Sequence, residues 1–381
     1  MSRPAAVPRL TRRTLLAGTA GLGIAATSRR QAKARPASRL SRGLNLSHWF
    51  AQSQRGYGPE HLQTFVGDRR LDEIAATGFT HVRLGAEPAA LFSDVTGGNH
   101  LVPAVIDRLE EALERIAARG LTVVLDLHPV GQSKQVLLKT EGADALVARW
   151  SGLARQLAGR SGAGLVLEIL NEPEPVTGED WWRLQERVLR AIRAAGAAGL
   201  VIANGGGWSG IDDLVARRAY GDPDVVYTIH HYAPLLFTHQ GADWTWDVAR
   251  TIERLPWPIA RDDAGRAAAA ATPDERARDF LRAEIAGGRF TAEAIDSELS
   301  RAAAWAGADG ASIYVGEFGT YARTAPRAAR LAWLQASREG FERRGFGWAV
   351  WDSSPSFGLL SGDGPDGRFD SACLEALGLS A

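Results

Sequence analysis

The stretch LVLEILNEPEP, residues 165–175, runs six largely apolar residues directly into Asn171, Glu172 and Pro173. A short apolar run bounded by a chain breaker is typical of a strand that is covered on both faces, as in a parallel sheet or barrel. Proline is tolerated here because the chain leaves the sheet and needs no further ladder donor. The stretch therefore places an amide and a carboxylate at the C-terminal end of a buried strand.

Runs of this kind recur along the chain, with helix-like segments between them. They are GLNL (43–46), THVRLG (80–85), LTVVLDLH (121–128), LVLEIL (165–170), LVIAN (200–204), VVYTIHHY (225–232), SIYVGEF (312–318) and GWAVWD (347–352). The segment VIDRLEEALERIAARG (105–120) has apolar residues at spacings of three and four and ends in a glycine suited to a helix C-cap. Strands that alternate with helices pair in parallel. Eight such units predict an α/β fold, a (β/α)8 TIM barrel.

The segment from about residue 232 to 312 is longer than one unit of the barrel needs. It holds FTHQGADW (237–244), an Ala-rich helical run and a polar stretch, so we predict an insertion between strands 6 and 7 of a single barrel domain over 42–381. The alternative fold is an open doubly wound sheet. No G-x-G-x-x-G follows the first strand, however, and NGGGWSG (204–210) lacks that spacing.

The first residues have the pattern of an export signal. Arg12 and Arg13 directly precede an apolar, Gly-rich run from Leu15 to Ala26, and small residues follow at 32–34. This predicts a twin-arginine-type signal peptide over 1–34, read by the twin-arginine export machinery, and a linker over 35–41. The run is shorter than the roughly 20 residues of a membrane span. We therefore expect a periplasmic or extracellular protein without a membrane span in the mature chain; a disordered basic tail and an uncleaved anchor are the alternatives.

Composition limits the other function classes. The 381 residues include 44 basic and 44 acidic side chains, so the chain lacks the broad basic surface that nucleic acid requires. Its one cysteine, Cys373, permits neither an intramolecular disulfide nor a cysteine-based metal site. We expect no nucleic-acid partner, no cofactor and no metal.

Polar and aromatic residues recur at the C-terminal ends of the predicted strands, where barrels of this kind form their active sites. In chain order they are Arg83, Asp126, His128, Asn171, Glu172, Asn204, Trp208, His230, His231, Tyr232, Glu317, Trp351 and Asp352. A ring of such residues is better explained by one shared pocket than by separate strand caps.

Glu172 and Glu317 end the fourth and seventh strands, so they should face each other across the barrel mouth. Two carboxylates on opposite sides of a pocket are what glycoside hydrolysis needs, one protonated to donate to the leaving oxygen and one ionised. Burial and mutual repulsion can separate their pKa values. The alternative is that each glutamate caps a strand or pairs with an arginine. We favour that structural role for Asp126 and Glu168, which are set back from the strand ends.

The twelve tryptophans add a second indication, because aromatic rings stack on the apolar face of a sugar. Trp49, Trp208, Trp244 and Trp351 follow predicted strand ends and are candidate platforms. Four others are predicted to pack in the core from helix-like stretches: Trp150, Trp182, Trp305 and Trp333.

Taken in order, ILNEP (169–173) and YVGEFG (314–319) resemble the cellulases of glycoside hydrolase family 5. HVRLG (81–85), LDLHP (125–129), HHYAPLLFTHQGADW (230–244) and WAVWD (348–352) support the resemblance, which runs from about Arg42 to Asp352. It implies a retaining endo-β-1,4-glucanase that hydrolyses a β-linked polysaccharide by double displacement on a (β/α)8 barrel.

The resemblance also implies a role for each matched residue. Glu172 is the expected acid/base and Glu317 the expected nucleophile. Asn171 would hold the 2-hydroxyl of the sugar, whereas Arg83 and Tyr232 would orient and hydrogen-bond the nucleophile.

The remaining matched positions line the sugar. His128 and His230 would line the catalytic subsite, and Trp351 would lie under the ring. The role of His231 stays open. Pro129 stands where many relatives carry a second histidine, which leaves the substrate preference undetermined.

Three alternatives remain. The same chemistry could act on mannan, mixed-linkage glucan or an exopolysaccharide, because loops set specificity. A metal-dependent barrel hydrolase would use Asp126, His128, His230 and His231, although the first strand offers no His-x-His pair. A carbohydrate-binding barrel without catalysis is the non-enzymatic alternative.

Overall fold

Eight parallel strands close into a barrel in chain order, and the last strand pairs with the first. The strands are Arg42–Phe50 (β1), His81–Ala86 (β2), Thr122–Leu127 (β3), Leu165–Glu168 (β4), Val201–Asn204 (β5), Val225–His231 (β6), Ile313–Phe318 (β7) and Gly347–Val350 (β8). Each overlaps a predicted run, so the (β/α)8 prediction is confirmed.

The computed structural model of the chain describes residues 39–93, 100–131, 134, 140–160, 164–174, 178–354, 356–361 and 367–380. The predicted signal peptide and the first residues of the predicted linker lie outside this part of the chain. Leu40, which falls within the predicted linker, is fully buried against the barrel.

Helices surround the barrel. They are Pro59–Thr64 (α1), Asp68–Ala76 (α2), Pro88–Leu91 (α3), Pro103–Ala117 (α4), Thr140–Gln156 (α5), Gly178–Ala194 (α6), Ile211–Val215 (α7), Leu235–Thr238 (α8), Asp247–Arg250 (α9), Ala264–Ala271 (α10), Glu275–Ala286 (α11), Ala292–Asp309 (α12), Arg327–Arg343 (α13) and Ser371–Ala376 (α14), with 3-10 turns at Gly207–Ser209 and Arg261–Asp263. Helices α8 to α12 lie between β6 and β7, which confirms the predicted insertion.

The helix Pro103–Ala117 shows how sequence sets one of these elements. Proline occupies its first turn, where a missing backbone donor costs nothing. Its apolar residues recur at helical spacing and face the barrel, where Ile106, Leu109 and Ile116 are buried. Gly120, which follows the helix, takes a left-handed conformation with φ of 76°.

The hydrophobic core has three clusters, of which the smallest consists of Ala242, Tyr321 and Phe357; the other two form the barrel. The larger cluster joins the outward faces of the strands to the helices. Apart from Leu40, which precedes β1, the second cluster comes from alternate strand positions, which face the barrel interior. Its members are Leu40, Val124, Val166, Ile202, Val226, Tyr314 and Ala349. Polar residues two positions further along the strands, such as Asp126 and Glu168, therefore lie one layer nearer the C-terminal mouth.

Strand register brings the polar residues of neighbouring strands side by side. Asn45 lies opposite Arg83, and Asp126 lies opposite Glu168. Glu317 lies opposite His230, just after a register shift in the β6–β7 pairing. Within the described part of the chain, no helix has the length and apolar character to cross a bilayer.

Candidate active site

Glu172 and Glu317 meet at the C-terminal mouth of the barrel. After β4 the chain continues to Asn171, whose backbone N–H donates to the Leu127 carbonyl at 2.9 Å. Glu172 then takes a left-handed conformation with φ of 42°. One carboxylate oxygen each from Glu172 and Glu317 and a ring nitrogen of His230 all lie within 4.8 Å of one another.

Glu317 is held by two donors. Arg83 Nη1 donates to Oε1 at 2.7 Å, and the Tyr232 hydroxyl donates to Oε2 at 3.0 Å. Hydrogen bonds from a guanidinium to a carboxylate are among the strong ones, so these two donors hold the Glu317 side chain in a fixed orientation. Burial and the neighbouring carboxylates raise the pKa of Tyr232 well above its ordinary value, so the phenol keeps its proton and stays a donor.

Glu172 has a different environment. His230 Nδ1 lies 2.9 Å from its Oε1, and Lys134 Nζ lies 3.9 Å from its Oε2. Burial raises the pKa of Glu172, and Lys134 opposes that rise. The two glutamates thus differ in their partners, since one binds a buried guanidinium and the other a histidine and a more distant ammonium group.

Arg83 organises the floor of the site. Its Nε and Nη2 donate to both oxygens of Glu168 at 2.7 and 2.8 Å, and Nη2 lies 2.9 Å from Asp126 Oδ2. Nη2 also donates to Asn171 Oδ1 at 3.0 Å. Burial opposes its charge, but the surrounding carboxylates raise the pKa of Arg83 well above its ordinary value. Asp126 and Glu168 therefore have the structural role predicted for them.

His128 lies beside this cluster. Its Nδ1 is 2.8 Å from Asp126 Oδ2, and its ring stacks on Trp351 with centroids 5.7 Å apart and planes at 15°. Burial lowers the pKa of His128 to about 4 and raises that of Asp126 to about 6. The histidine is therefore neutral at neutral pH and presents a flat face next to the tryptophan.

His230 and His231 point to opposite sides of β6, as successive strand residues must. His230 faces the glutamates, whereas His231 stacks on Trp333 of the helix Arg327–Arg343, with planes at 4°. The four residues of the metal-dependent alternative therefore do not converge. Among the described residues, the group of acidic and histidine ligands close enough to share an ion is Glu172, His230 and Glu317.

The tryptophan predictions have mixed outcomes. Trp208 and Trp244 are 58% and 55% exposed, and Trp351 is half-buried, so all three rings are accessible. Trp49 is fully buried and donates to the Leu62 carbonyl at 2.8 Å. The prediction that Trp49 is a platform is wrong, because β1 extends to Phe50 and turns this ring into the helical layer. The four helix tryptophans pack against the core as predicted.

Two residues of the site were missed. Asn45 accepts from Arg83 Nη1 at 3.0 Å and donates to the Gly316 carbonyl, also at 3.0 Å. The sequence did offer a signal for Asn45, because a polar asparagine within an apolar strand run is unusual. Lys134 Nζ lies 4.7 Å from the centre of the Trp208 ring as well as near Glu172. A single lysine in the sequence gives no such signal, since most lysines are solvated.

A closed barrel of this kind, with two carboxylates facing each other at its C-terminal mouth, has the architecture of the barrel glycoside hydrolases. The profile of the family described as "Cellulase (glycosyl hydrolase family 5)" matches residues 47–356. The chain belongs to that family.

Several characterised relatives are endoglucanases. Endoglucanase 3 of Fibrobacter succinogenes is 24% identical over 369 residues, which cover 90% of this chain and 53% of that protein. Endoglucanase C of Acetivibrio thermocellus is 25% identical over 317 residues, which cover 81% and 90%. The crystal structure of endoglucanase Cel5A from the hyperthermophilic Thermotoga maritima is 25% identical, with a TM-score of 0.72 over 90% of this chain and 98% of that one. This chain thus spans about half the length of the Fibrobacter protein.

Proposed function

We propose that the chain is a retaining endo-β-1,4-glucanase, with Glu172 as acid/base and Glu317 as nucleophile. The observation that carries the proposal is the approach of the two carboxylates, whose nearest oxygens lie within 4.8 Å. Retaining glycosidases hold their carboxyl groups about 5–5.5 Å apart, whereas inverting enzymes leave roughly 6.5–9.5 Å for a water.

In the first step, Glu317 attacks the anomeric carbon and the bond to the leaving oxygen breaks, while Glu172 gives that oxygen its proton. The two donors on Glu317 suit an ionised nucleophile. The raised pKa of Glu172 suits a group that must hold a proton before the step. Water then attacks the glycosyl-enzyme, Glu172 takes a proton from that water, and Glu317 is released.

Other side chains would hold the sugar. The Asn171 amide oxygen accepts from Arg83, which leaves its NH2 group to donate to the 2-hydroxyl. His128 and Trp351, stacked on each other, would line and underlie the ring at the cleavage point. His230 would line the same subsite, and the exposed Trp208 would be a further stacking platform.

The roles of the glutamates can be tested by Glu172→Gln and Glu317→Gln. Loss of a general acid typically costs about 100-fold or more, so we expect both variants to lose most hydrolysis of soluble cellulose, measured as reducing ends. Glu172→Gln should lose far less on an aryl cellobioside with an acidic phenol, which leaves without a proton.

Glu174→Gln, two residues from Glu172, is the matched control and should remain active. A 2-deoxy-2-fluoro cellobioside should label a peptide that contains Glu317. Label on Glu172, an initially formed α-anomer, or near-normal hydrolysis by either variant would contradict the assignment. Thermal melting of each variant shows whether the fold is retained.

The endoglucanase relatives support β-glucan as the substrate class. A panel of soluble cellulose, mixed-linkage glucan and mannan, compared by kcat/KM, decides among β-glycans. A fast fall in viscosity relative to reducing ends identifies endo action. Faster cleavage of mannan than of either glucan would instead support the same chemistry on another polysaccharide.

We also propose export by the twin-arginine route, on the strength of Arg12 and Arg13 before the apolar run and of a fold with one cysteine. Replacing both arginines by lysine keeps the positive charge but removes the twin-arginine motif. Activity should then shift from the exported fraction to the cytoplasm of a bacterial host that has this pathway. Equal export of both forms would contradict the proposal.

A further inference from the structure

The loop after β1 holds Gln52 beside the proposed catalytic subsite. Gln52 Nε2 lies 3.2 Å from His128 Nε2. The His128 ring in turn stacks on Trp351, the residue proposed to lie under the sugar. Gln52 is half-buried, so part of the residue is open to a ligand. A sugar that stacks on Trp351 therefore lies beside His128 and within reach of the Gln52 amide.

The backbone of Gln52 has a conformation that few residues with a side chain adopt. Its φ is 59°, in the left-handed region. The loop fixes it there at two points, because His48 Nδ1 lies 2.9 Å from the Gln52 carbonyl oxygen and the Tyr57 hydroxyl hydrogen-bonds the Gln52 backbone. Such conformations persist where the surroundings impose them, and they cluster at active sites. Glu172, with φ of 42°, is another example at the same mouth.

The hydrogen bonds around His128 determine how the Gln52 amide is oriented. Burial lowers the pKa of His128 to about 4, so at neutral pH the ring carries one proton. That proton lies on Nδ1, which is 2.8 Å from the accepting Asp126 Oδ2. His128 Nε2 is then an acceptor, and the donor that faces it is the NH2 group of Gln52. Gln52 therefore supports this tautomer of His128.

The Gln52 amide keeps hydrogen-bonding capacity for a ligand. One N–H is used on His128, whereas the second N–H and the carbonyl oxygen have no hydrogen-bond partner among the described residues. Both groups belong to one planar amide next to the His128 ring. A sugar hydroxyl, which donates and accepts, is a suitable ligand for such a pair of groups.

The position of Asn171 indicates which hydroxyl would reach Gln52. Arg83 Nη2 donates to Asn171 Oδ1 at 3.0 Å and lies 2.9 Å from Asp126 Oδ2, which in turn holds His128. Asn171 and His128 are therefore neighbours around one guanidinium nitrogen. With the 2-hydroxyl on Asn171, the 3-hydroxyl on the adjacent ring carbon is the group next to His128 and Gln52.

We propose that Gln52 is a further substrate-binding residue, which together with His128 Nε2 binds the 3-hydroxyl of the sugar at the cleavage point. The inference rests on the proposed glucanase function. A site built to hydrogen-bond a hydroxyl rejects a substrate that lacks it, because the polar groups of the site are then left unpaired. A β-1,3 bond to this sugar would use the same oxygen. Gln52 therefore selects for a β-1,4 bond at this position.

The test removes the amide from the protein and the hydroxyl from the substrate. Gln52→Met keeps an unbranched side chain on the same backbone. The substrate is an aryl β-cellobioside, compared with the forms that lack the 3-hydroxyl or the 6-hydroxyl on the sugar bonded to the aryl group. Gln52→Met should lower kcat/KM about tenfold on the parent and 6-deoxy compounds, as one lost hydrogen bond implies, but less than about twofold on the 3-deoxy compound.

Gln54→Met is the matched control, because Gln54 is exposed in the same loop. It should leave kcat/KM on all three compounds unchanged.

Gln52→Glu gives a second readout, through pH. An ionised carboxylate cannot donate to His128 Nε2, so this variant needs a proton between the two groups. Its kcat/KM, relative to that of the intact chain, should therefore be lowest at neutral pH and rise as the pH falls. Gln54→Glu should follow the profile of the intact chain. A Gln52→Glu profile with the shape of the intact chain's would contradict the hydrogen bond on which the inference depends.

Binding separates this inference from the proposed function. Calorimetric titration of Glu317→Gln, with and without Gln52→Met, measures the affinity for each of the three compounds. If the intact chain cleaves no cellobioside, the proposed function fails, and a loss of affinity that is absent with the 3-deoxy compound still supports Gln52 as a sugar ligand. Equal effects of Gln52→Met on all three compounds, or no effect on any, in cleavage and in binding, overturn the inference.

Discussion

Arg83 shows what a single residue contributes to this site. It is fully buried and contacts Asp126, Glu168 and Glu317, and a guanidinium presents its donors in a fixed planar fork that suits several carboxylates at once. The family resemblance implied its contact with Glu317. It did not predict that two further carboxylates would share the same guanidinium, because those contacts depend on the register of three strands.

Lys134 is a residue whose effect can be tested through pH. Burial raises the pKa of Glu172, and Lys134, His128 and Arg83 lower it, the lysine most among these three. Removing the ammonium group should raise the pKa of the acid further. Because the acid must be protonated, activity is lost above its pKa, and a higher pKa extends activity to higher pH.

Lys134→Met should therefore move the alkaline limb of the kcat/KM profile upward by about one pH unit, the size expected for a charge at this distance. Lys134→Arg keeps the charge and should leave the limb near its original position. An unmoved limb in the methionine variant, or equal movement in both, would show that Lys134 does not set the pKa of Glu172.

At the scale of elements, the strands and their ends were predictable because alternation and chain breakers are local properties. The prediction that Trp49 is a stacking platform failed because it depends on strand pairing, which is not a local property of the sequence. The pairing of β1 with β2 shifts register between Leu46 and Phe50, and His48 has a φ of 63°. The strand therefore continues past its predicted end, and the side chains after the shift face differently from what simple alternation predicts.

The loop after β5 depends on a glycine. A Cβ on Gly205 would lie 2.3 Å from the Leu214 backbone nitrogen, so the helix Ile211–Val215 would have to move. Gly205→Ala should destabilise the fold by about 1–3 kcal/mol through overpacking, as measured by urea unfolding. Because the proposed stacking platform Trp208 lies on this segment, the same variant should weaken binding of soluble glucan.

Gly265 provides the matched control. It is exposed on the outer side of the helix Ala264–Ala271, and a Cβ there would have nothing within 4 Å. Gly265→Ala should stabilise the fold by about 0.5–1 kcal/mol, since alanine loses less backbone freedom in a helix. Similar unfolding free energies for the two variants would mean that the loop adapts and that the close approach at Gly205 is unimportant.

For the molecule as a whole, acid sensitivity has contributions of opposite sign. Burial lowers the pKa values of His81, His128, His230 and His239, and these groups favour unfolding as the pH falls below their unfolded values. Burial raises the pKa of Asp126 to about 6, and this carboxyl favours the folded state over the same range. The free energy of unfolding of the intact chain at low pH is the sum of these contributions. The contribution of one group is therefore best measured as the difference between the intact chain and a variant that lacks that group.

His81 is suited to that measurement because it lies in the barrel interior, away from the glutamates. It is fully buried, its Nε2 is 2.9 Å from the Tyr314 hydroxyl, and burial lowers its pKa from 6.5 to about 3. The stability that depends on its neutral form is complete above pH 6.5 and is lost as the pH falls towards 3, by up to about 1.4 kcal/mol per pH unit. His81→Gln keeps a hydrogen-bonding side chain without this titration. The difference in unfolding free energy between the intact chain and the variant, measured in urea from pH 7 to 4.5, should therefore shrink by about that amount per unit. A difference that stays constant with pH would mean that His81 is not buried in its neutral form, and the packing of the barrel interior described here would then be wrong.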